Sequence, residues 1–495
     1  MNYVLSLDTA DDGAFALNCS ARIRSLSWRL GCDSPDQPVA EAGLAEIHLD
    51  NADGLFSPER SPALHAGLWL RIQADDGLTV RTLFTGVIER ITPQAGARGE
   101  RTAIITARTP DSALESLAVH LPQSLNISAD HLLRQCLQRL PLRRPALAAL
   151  CVLDDPAFGI LGVAHLADSL PIPANFEAGI SSFAFTAFAA DLPARSIITQ
   201  IIAAERGRLM ANRQGGLTFY NRHAPLRAAS PSASFDQGMA AVEYAHQAAI
   251  NHVRVTVTPR EIGPPETPLW ISAAPLPVPP GLRSIVARYR LENGADVGVL
   301  ALEGLTFSAN TRPDGTGESL PVQAVFAPQG VDSAVIEFRN PSARLAYILS
   351  GAVLRGTPLI AAAPLSVEAL DQISIAHHGF HSRDLTLPLI DSPDEAAHIA
   401  HFELHYSGSI RETIRWLDCD LREHPAALAL EPMAQITIQE SQTGHDRAYW
   451  IIGESHQVDL AGSRHRLRFY LAPAAPGTFW ELGVAAIDQT AALAY

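Results

Sequence analysis

Segments in which apolar and polar residues alternate dominate the first 110 residues of the chain. Alternation with a period of two is typical of a β-strand that buries one of its faces. It occurs at 45–49, 69–74, 83–91 and 102–107, so the strands start about 10 to 15 residues apart. This spacing predicts an antiparallel β-barrel or β-sandwich at the start of the chain.

The period changes after Pro110, where helical spacing replaces alternation. Residues 111–120 predict one helix, and a second follows Ser128, whose hydroxyl is suited to cap a helix N-terminus. The second helix carries one apolar stripe. Its members are Leu132, Leu133, Cys136, Leu137 and Leu140. Residues 141–190 follow no clear period.

A third helix is predicted before Gly207, because four isoleucines share one face at helical spacing. They are Ile197, Ile198, Ile201 and Ile202. Gly207 stands where a glycine often ends a helix. The segments 208–212 and 216–221 flank the turn Arg213-Gln214-Gly215 and predict a β-hairpin.

The second half of the chain returns to β patterning. Val253, Val255 and Val257 alternate before a proline-dense stretch at 263–280, which is incompatible with a central strand. Residues 282–360 again favour strands. A helix is predicted over 392–406, where Ser392 can cap and Pro393 suits the first turn. Further strands are predicted at 435–439, 449–454 and 465–471.

Two of these β segments resemble each other. The strand at 83–88 contains Gly86 and is followed by a polar turn and the strand at 102–107. The strand at 450–454 contains Gly453 and is followed by a turn and the strand at 467–471. This agreement predicts an internal duplication of a β-domain. The alternative is that any two β-hairpins look alike at this level.

Composition places the chain among folded multidomain proteins. With 495 residues it has room for about three domains, and 47% hydrophobic against 18% charged residues excludes intrinsic disorder. The formal net charge is −15, which disfavours general nucleic-acid binding. No apolar stretch is long enough for a membrane span, and no secretory signal is expected at the N-terminus.

The chain contains no lysine, so all 37 basic residues are arginine. Two explanations stay open. A genome rich in G and C favours arginine codons without any structural reason. Alternatively, arginine is selected because its planar guanidinium holds ion pairs between subunits better than the ammonium group of lysine.

The sequence offers no strong catalytic signature. The motifs for a serine nucleophile elbow, a zinc protease, a Walker loop and a dinucleotide fold are missing. Five widely spaced cysteines without a Cys-x-x-Cys pair disfavour a zinc ribbon and a disulfide scaffold. We therefore expect no enzyme and no cofactor, although a carboxylate pair whose members are distant in sequence stays open.

Histidines provide the only metal-binding candidate. His398, His401 and His405 fall at i, i+3 and i+7 on the helix predicted at 392–406 and would share one face. No ordered carboxylate motif accompanies them. A solvated or subunit-facing histidine face is therefore favoured over a metal site.

A loop near residue 50 carries a resemblance to a known family. It reads Leu49-Asp50-Asn51-Ala52-Asp53-Gly54-Leu55-Phe56-Ser57-Pro58, and the strands at 69–72 and 83–88 follow it. Asp50, Asn51, Asp53, Gly54, Phe56, Pro58 and Gly86 are its motif residues. The passages at 205–222, 385–390 and 479–483 agree with the same family. Together they resemble tail-tip or baseplate hub proteins, also called minor tail proteins, of tailed phages and phage-like particles; the segment 431–436 departs from the pattern.

This resemblance implies a homotrimer in which each chain supplies two tube-like β-barrels. Three copies would form a pseudo-hexameric ring that docks on a six-fold tail tube, and closure would use up exposed sheet edges. An acidic lumen would repel DNA phosphates and let the genome slide through without specific binding. Arginines are then expected at the subunit contacts.

The implied fold class is mainly β with an α/β insertion, that is, multidomain α+β. It contains two tube-like antiparallel β-barrel domains and an accessory β-sandwich. The predicted ranges are a first barrel at 1–110, an α/β insertion at 111–232, a return strand at 233–260, the accessory domain at 261–365, a second barrel at 366–475 and a C-terminal tail at 476–495.

The function implied is a structural hub that caps or extends the tail tube and links it to the tip. Its partners would be tail tube and distal tail proteins and tail-tip or fibre proteins, within a virion or phage-like particle assembled in the bacterial host cytoplasm. Host attachment and genome ejection would be the steps it serves. Two alternatives stay open: a receptor- or carbohydrate-binding tip protein, and a tip-borne cell-wall hydrolase.

Overall fold

A computed structural model describes most of the chain. The described residues are 1–94, 101–119, 121, 124–140, 151–154, 161–164, 172–186, 192–227, 230–236, 239, 241–247, 249–329, 332–408, 411–474, 478–480 and 491–493.

The first 108 residues form seven strands, which we call the first β unit. They are β1 (Asn2–Asp8), β2 (Leu17–Asn18), β3 (Ile23–Gly31), β4 (Leu44–Asp50), β5 (Trp69–Asp75), β6 (Val80–Gln94) and β7 (Thr102–Arg108). The alternation noted in the sequence is confirmed. In β4 the residues Ala45, Ile47 and Leu49 are fully buried, whereas Leu44 before them and Glu46 between them are exposed.

An α/β region follows, and its two helices pack on each other. Its elements are β8 (Leu125–Ser128), α1 (Ala129–Gln138), β9 (Cys151–Asp154), β10 (Leu161–Ala164), β11 (Ala174–Phe176), β12 (Ser182–Phe185), α2 (Ala194–Glu205), β13 (Arg208–Ala211) and β14 (Leu217–Tyr220). The predicted apolar stripe of α1 and the four isoleucines of α2 are buried in one core, and the predicted hairpin is β13–β14.

Three local predictions in this region need correction. The helix predicted over 111–120 is only a short 3₁₀ helix, Pro110–Glu115. Ser128 does precede α1, but its hydroxyl donates to the Asp130 carboxylate at 2.6 Å instead of capping the helix. The left-handed residue that ends α2 is Arg206, with φ 58°. Gly207 is needed for a different reason, because a Cβ there would lie 2.5 Å from the Tyr220 carbonyl oxygen.

Three strands then lead into an accessory β-domain with a hydrophobic core of its own. The three strands are β15 (Ala233–Phe235), β16 (Ala241–Gln247) and β17 (His252–Val257). The accessory strands are β18 (Arg260–Ile262), β19 (Thr267–Ile271), β20 (Leu276–Val278), β21 (Gly281–Arg288), β22 (Gly298–Thr306), β23 (Ala309–Asn310), β24 (Gln323–Pro328), β25 (Ser333–Asn340), β26 (Ala346–Ile348) and β27 (Val353–Ala361). They form three small sheets that cover one another, as a β-sandwich requires.

The chain next returns to the α/β region before it enters the last strands. The returning elements are β28 (Leu365–Leu370), α3 (Gln372–His378), β29 (Ser382–Leu387) and α4 (Pro393–Ser407). Strand β17 lies between β28 and β29, and α4 packs on this sheet. The predicted cap of α4 is confirmed, because the Ser392 hydroxyl accepts from the Glu395 amide at 3.3 Å.

The final strands, together with β15 and β16, form what we call the second β unit. They are β30 (Arg411–Asp420), β31 (Gln435–Glu440), β32 (His445–Asp459) and β33 (Arg464–Pro473). Two short strands, β34 (Thr478–Trp480) and β35 (Ala491–Leu493), pair with each other in the predicted C-terminal tail. The rest of that tail lies outside the described residues.

Two predicted domain ranges are therefore wrong. The second barrel does not occupy all of 366–475, because Ala369, Leu387 and Ile399 are buried against helices α1 and α2 of the α/β region. The range 233–260 is not one return strand, since β15 and β16 join the second β unit and β17 joins the α/β region. Hydrophobic patterning locates strands but does not show which distant strand pairs with which.

The two β units have the same topology. In the first, strands occur in the spatial order β3-β4-β7-β6-β5-β1, and in the second in the order β16-β30-β33-β32-β31-β15. Taken in chain order, each of these six strands has a counterpart in the other unit, whereas β2, which pairs with β1, has none. The long hairpins also share a bulge, since register skips one residue between Ile88 and Arg90 and between Ile451 and Gly453. The final pair differs, because β1–β5 is antiparallel and β15–β31 is parallel.

The two units share one 13-stranded sheet. Strand β3 of the first unit pairs antiparallel with the second half of β32, from Ser25–Asp459 to Gly31–Gly453. Buried residues of both units, such as Ile105 and Phe469, belong to a single hydrophobic core. The fold is thus mainly β, with an inserted α/β region and an accessory β-domain, and none of the described helices has the length and apolarity that a membrane crossing needs.

Gly86 provides a test of this packing. A Cβ at Gly86 would lie 2.6 Å from the Arg108 carbonyl oxygen and 2.7 Å from the Phe84 ring. We predict that Gly86→Ala lowers the stability of the shared sheet by about 1–3 kcal/mol through overpacking, measured as a drop in thermal midpoint. Gly304→Ala, where a Cβ meets nothing within 4 Å, is the matched control. Equal midpoints for the two variants would contradict the prediction.

Candidate functional site

The loop that carries the resemblance, Asp50 to Pro58, is held by its own side chains. The Asn51 amide oxygen accepts from the Phe56 backbone N–H at 2.8 Å, and the Asn51 amide group donates to the Ser57 hydroxyl at 3.2 Å. Phe56 is buried in the shared core, and Pro58 is exposed. Gly54 has φ +76°, a conformation that favours glycine.

The two aspartates of this loop anchor it to the start of β3. Asp53 pairs with Arg22 at 2.7 Å and Asp50 with Arg24 at 2.9 Å. The arginine hydrogen bonds lower the pKa of both carboxyl groups. Asp50, Asn51, Asp53 and Phe56 are therefore used in folding this loop onto the first β unit. Gly86 lies apart from them on β6, where it lets the backbone of β7 approach.

The histidine candidates lie on the outer face of α4. His398, His401 and His405 are exposed, as the helical spacing predicts. Within the part of the chain that the structure describes, no group of three or more histidine, cysteine, aspartate or glutamate residues is placed to hold a metal ion. The solvated or subunit-facing role of these histidines stays a prediction.

The most unusual polar cluster lies where the α/β region meets the β3–β32 junction. Arg213, at the tip of the β13–β14 hairpin, forms a two-pronged ion pair with Glu454 of β32, with N–O distances of 2.8 and 2.5 Å. The same guanidinium donates to the Leu428 and Leu430 carbonyl oxygens at 2.8 and 2.7 Å. Four hydrogen bonds thus fasten the hairpin to the second β unit.

Both charges are removed from water, since the side chains of Arg213 and Glu454 are 2% and 0% exposed. Burial alone would raise the pKa of Glu454, but the adjacent Arg213 outweighs it and lowers the pKa to about 2. A buried carboxylate that lost this partner would be strongly unfavourable. The ion pair therefore fixes the position of the hairpin on the sheet.

A chain of aromatic and imidazole groups continues from Glu454 across the junction. His456 Nε2 lies 3.5 Å from the Glu454 carboxylate, and its Nδ1 lies 2.9 Å from His465 Nε2. The other nitrogen of His465 lies 2.6 Å from the Tyr3 hydroxyl. Trp28 of β3 stacks on His456 with ring centroids 4.4 Å apart. This cluster links β1, β3, β32 and β33 through the interior.

Burial keeps both histidines neutral. It lowers the pKa of His456, and burial followed by the neighbouring His456 lowers the pKa of His465 to about 2. Burial also raises the pKa of Tyr3 above its ordinary value. Neutral rings can each donate one hydrogen bond and accept another, which suits a closed chain of partners. His456 and Glu454 are fully buried, so their polar groups contact other buried groups of the fold.

The sequence did not identify these residues as a group. Arg213 was assigned only to a turn, and Glu454 was assigned to a strand of otherwise apolar residues. A charged residue inside an apolar strand was the available signal, because a buried charge needs a partner. Its partner lies 241 positions earlier, and one sequence cannot reveal such a pairing.

The free cysteines in the described region are buried and poorly suited to nucleophilic chemistry. Burial raises the pKa of Cys19 to about 11 and those of Cys136 and Cys419 to about 12. Reactive cysteines need the thiolate near neutral pH. Cys32 is buried as well, and burial raises its pKa.

Comparison with solved structures gives the fold a class. The chain has the fold of a tail protein from Neisseria meningitidis MC58, with a TM-score of 0.51, 8% sequence identity, and coverage of 96% of this chain and 98% of that one. The resemblance drawn from the sequence is thus confirmed at the level of the fold.

Two further structures are similar over most of their length. A 43 kDa tail protein of prophage MuSo2 from Shewanella oneidensis has a TM-score of 0.49, 9% identity, and coverage of 96% and 99%. Prophage tail protein gp18 from Listeria monocytogenes EGD-e has a TM-score of 0.42, 6% identity, and coverage of 95% and 94%. No family model and no curated protein sequence matches the chain.

The buried ion pair predicts a large and specific effect on stability. Arg213→Met leaves the Glu454 carboxylate buried without its partner, and we expect a loss of about 3–5 kcal/mol, measured by denaturant unfolding. The double variant with Glu454→Gln removes the orphaned charge and should recover part of the loss. Arg344→Met breaks an exposed pair with Glu318 and should change little. A loss no larger than in this control would argue against the role of Arg213.

The buried histidines predict a dependence of stability on pH. Their pKa is lowered in the folded chain, so the unfolded chain binds more protons below its ordinary pKa of 6.5. Stability should therefore fall as pH decreases below about 6.5, by up to about 1.4 kcal/mol per pH unit for His465. The lowered pKa of His456 acts in the same direction.

His465→Gln removes one of these groups and should flatten the fall of the thermal midpoint between about pH 7 and about pH 5. His401→Gln, on the exposed face of α4, should keep the slope of the unaltered chain. An unchanged slope in the His465 variant would show that this histidine does not couple folding to pH.

Proposed function

We propose that this chain is a structural hub of a phage tail or phage-like particle, forming a ring that caps or extends the tail tube. The observation that carries this proposal is the internal duplication. Two β units of equal topology, joined edge to edge in one sheet, are what a chain needs to present two equivalent faces to a tube of higher symmetry. The fold shared with a Neisseria tail protein supports the same proposal.

In this proposal three copies form a closed ring that contains six β units. Ring closure pairs the sheet edges that would otherwise be exposed and promote aggregation. The tail tube and distal tail proteins would bind one side of the ring, and tail-tip or fibre proteins the other. The net charge of −15 suits a lumen through which DNA passes without binding, because like charges repel. The location would be the tip of a virion or phage-like particle, assembled in the bacterial cytoplasm and serving host attachment and genome ejection.

We propose a role without catalysis. The perturbed titratable groups of the junction, Glu454, His456 and His465, make contacts that hold the fold together. Catalytic groups need access to a substrate in a cleft. A tip-borne hydrolase thus has no supporting observation.

The receptor-binding alternative depends on the accessory domain. It requires an exposed aromatic groove on that domain. Trp270, the tryptophan of the accessory strands, is partly buried and packs against the accessory core. A cavity on this domain is lined by Trp270, Val286 and Arg290, among others, but Trp270 is the one aromatic residue of its described lining. It therefore does not supply the aromatic groove that this alternative requires.

The ring predicts a defined mass. Purified chain examined by light scattering and sedimentation should have about three times the 53.1 kDa of one chain. The assembly should persist on dilution, because strand pairing and core burial are cooperative. A monomer at every concentration would contradict the hub, and a stable dimer would contradict the three-fold ring.

A further inference from the structure

The two β units differ at one sheet edge. The outer edge of β3 has a partner strand, whereas the equivalent edge of β16 has none among the described residues. Strand β3 lies at the end of the first β unit and pairs with β4 on one side and β32 on the other. Its counterpart in the second unit is β16, which pairs with β30. On its other side, β16 meets no further strand of the described residues.

The strand that pairs with β3, which is β32, differs from its counterpart β6 in the same way. Strand β32 uses one edge twice, first for β31 and then, from Gly453 to Asp459, for β3. Its counterpart β6 uses the corresponding edge only for β5, from Val80 to Val87. Ile88 still bonds to Gly67 and Leu68 on the β5 edge. From Arg90 to Gln94, the described chain places β7 on one edge of β6 and no strand on the other.

We propose that β16 of one copy pairs antiparallel with residues 90–94 of β6 in the next copy, repeating between chains the β3–β32 contact within the chain. This proposal rests on the proposed ring. A second copy is the occupant because β16 and β6 stand seven positions apart in the sheet order and do not meet within one chain. The contact joins two different surfaces, so it is heterologous and closes into a ring when the rotation closes.

The shared bulge fixes the register. Counting from it, Arg90 corresponds to Gly453, Thr92 to Ser455 and Pro93 to His456. Counting through β4 and β30 aligns Ser27 with Glu243, just before the point where β30 carries one extra residue, Arg415, opposite β16. Continuing along β16 itself, Trp28 corresponds to Tyr244, and Arg29 to Ala245.

The pairs Trp28–His456 and Arg29–Ser455 within the chain therefore predict Tyr244 opposite Pro93 and Ala245 opposite Thr92 between copies. In this pairing the aromatic ring of Tyr244 would face the pyrrolidine ring of Pro93. Within the chain, the Trp28 ring faces the His456 ring in the same way, with centroids 4.4 Å apart. Pro93 has no N–H and removes one donor from this edge. Such a residue weakens indiscriminate strand addition and leaves side-chain fit to select the partner.

A disulfide test follows from the register, since directly opposite residues of antiparallel strands have Cα atoms about 4.5–5.5 Å apart, within disulfide range. The single variants Ala245→Cys and Thr92→Cys are co-expressed, purified together and oxidised. A disulfide-linked dimer should form in the mixture, visible on a non-reducing gel and lost on reduction. Neither variant alone should cross-link, because the contact is heterologous. Unaltered chain oxidised in parallel reports the background of the native cysteines.

The matched control replaces Thr92→Cys by Arg81→Cys, which is exposed on the half of β6 that β5 already covers; this mixture should not cross-link. Efficient cross-linking of Ala245→Cys with itself, or none in the first mixture while sedimentation shows a trimer, would overturn the proposed pairing and leave the ring standing. A monomer in sedimentation would overturn both.

Discussion

The antiparallel pairing of β3 with β32 is the contact on which the rest of the structure depends. It joins two β units of equal topology into one sheet. That continuity lets both units share a single core, because side chains from each pack on the same inner face. Without this pairing the chain would hold two small half-open sheets, each with long unpaired edges. The junction thus holds the two units of one chain together.

Arginine supplies the electrostatic part of this arrangement. Arg213 and Arg468 each bind a carboxylate with two parallel hydrogen bonds, to Glu454 and to Asp418. The guanidinium of Arg468 also stacks on the Trp416 ring at 3.7 Å. Lysine offers neither the planar fork nor the stacking. The structure therefore gives particular positions a physical reason for arginine, whatever the cause of the absence of lysine in the whole chain.

Local patterning allowed much of the fold to be predicted. The alternation at 69–74, the isoleucine face of α2 and the capped start of α4 all depend on neighbours in sequence, and each is observed. The pairing of β15 and β16 with strands nearly 200 residues later was missed, because patterning does not encode which edges meet. The junction cluster was missed for the same reason. Its members, Tyr3, Arg213 and His465, come from three distant segments.

The internal duplication shows both what the sequence could predict and what it could not. The sequence indicated related hairpins through the glycines Gly86 and Gly453. The topology confirms related hairpins, but the glycines are not equivalent, since Gly86 precedes the shared bulge and Gly453 follows it. Each glycine serves a local close approach, to the Arg108 carbonyl in one hairpin and to the Cys32 backbone in the other. The strand order, and not the matching residue, is what the two units have in common.

The central claim is that equal β units repeat around an axis, first within a chain and then between chains. Electron microscopy of the purified assembly viewed down its axis tests this most directly. We expect an annulus with an open channel, an inner wall of approximate six-fold symmetry formed by the β units, and three-fold symmetry outside it, where the α/β and accessory regions lie. Compact particles without a channel, or an inner wall of two-fold symmetry, would contradict the account.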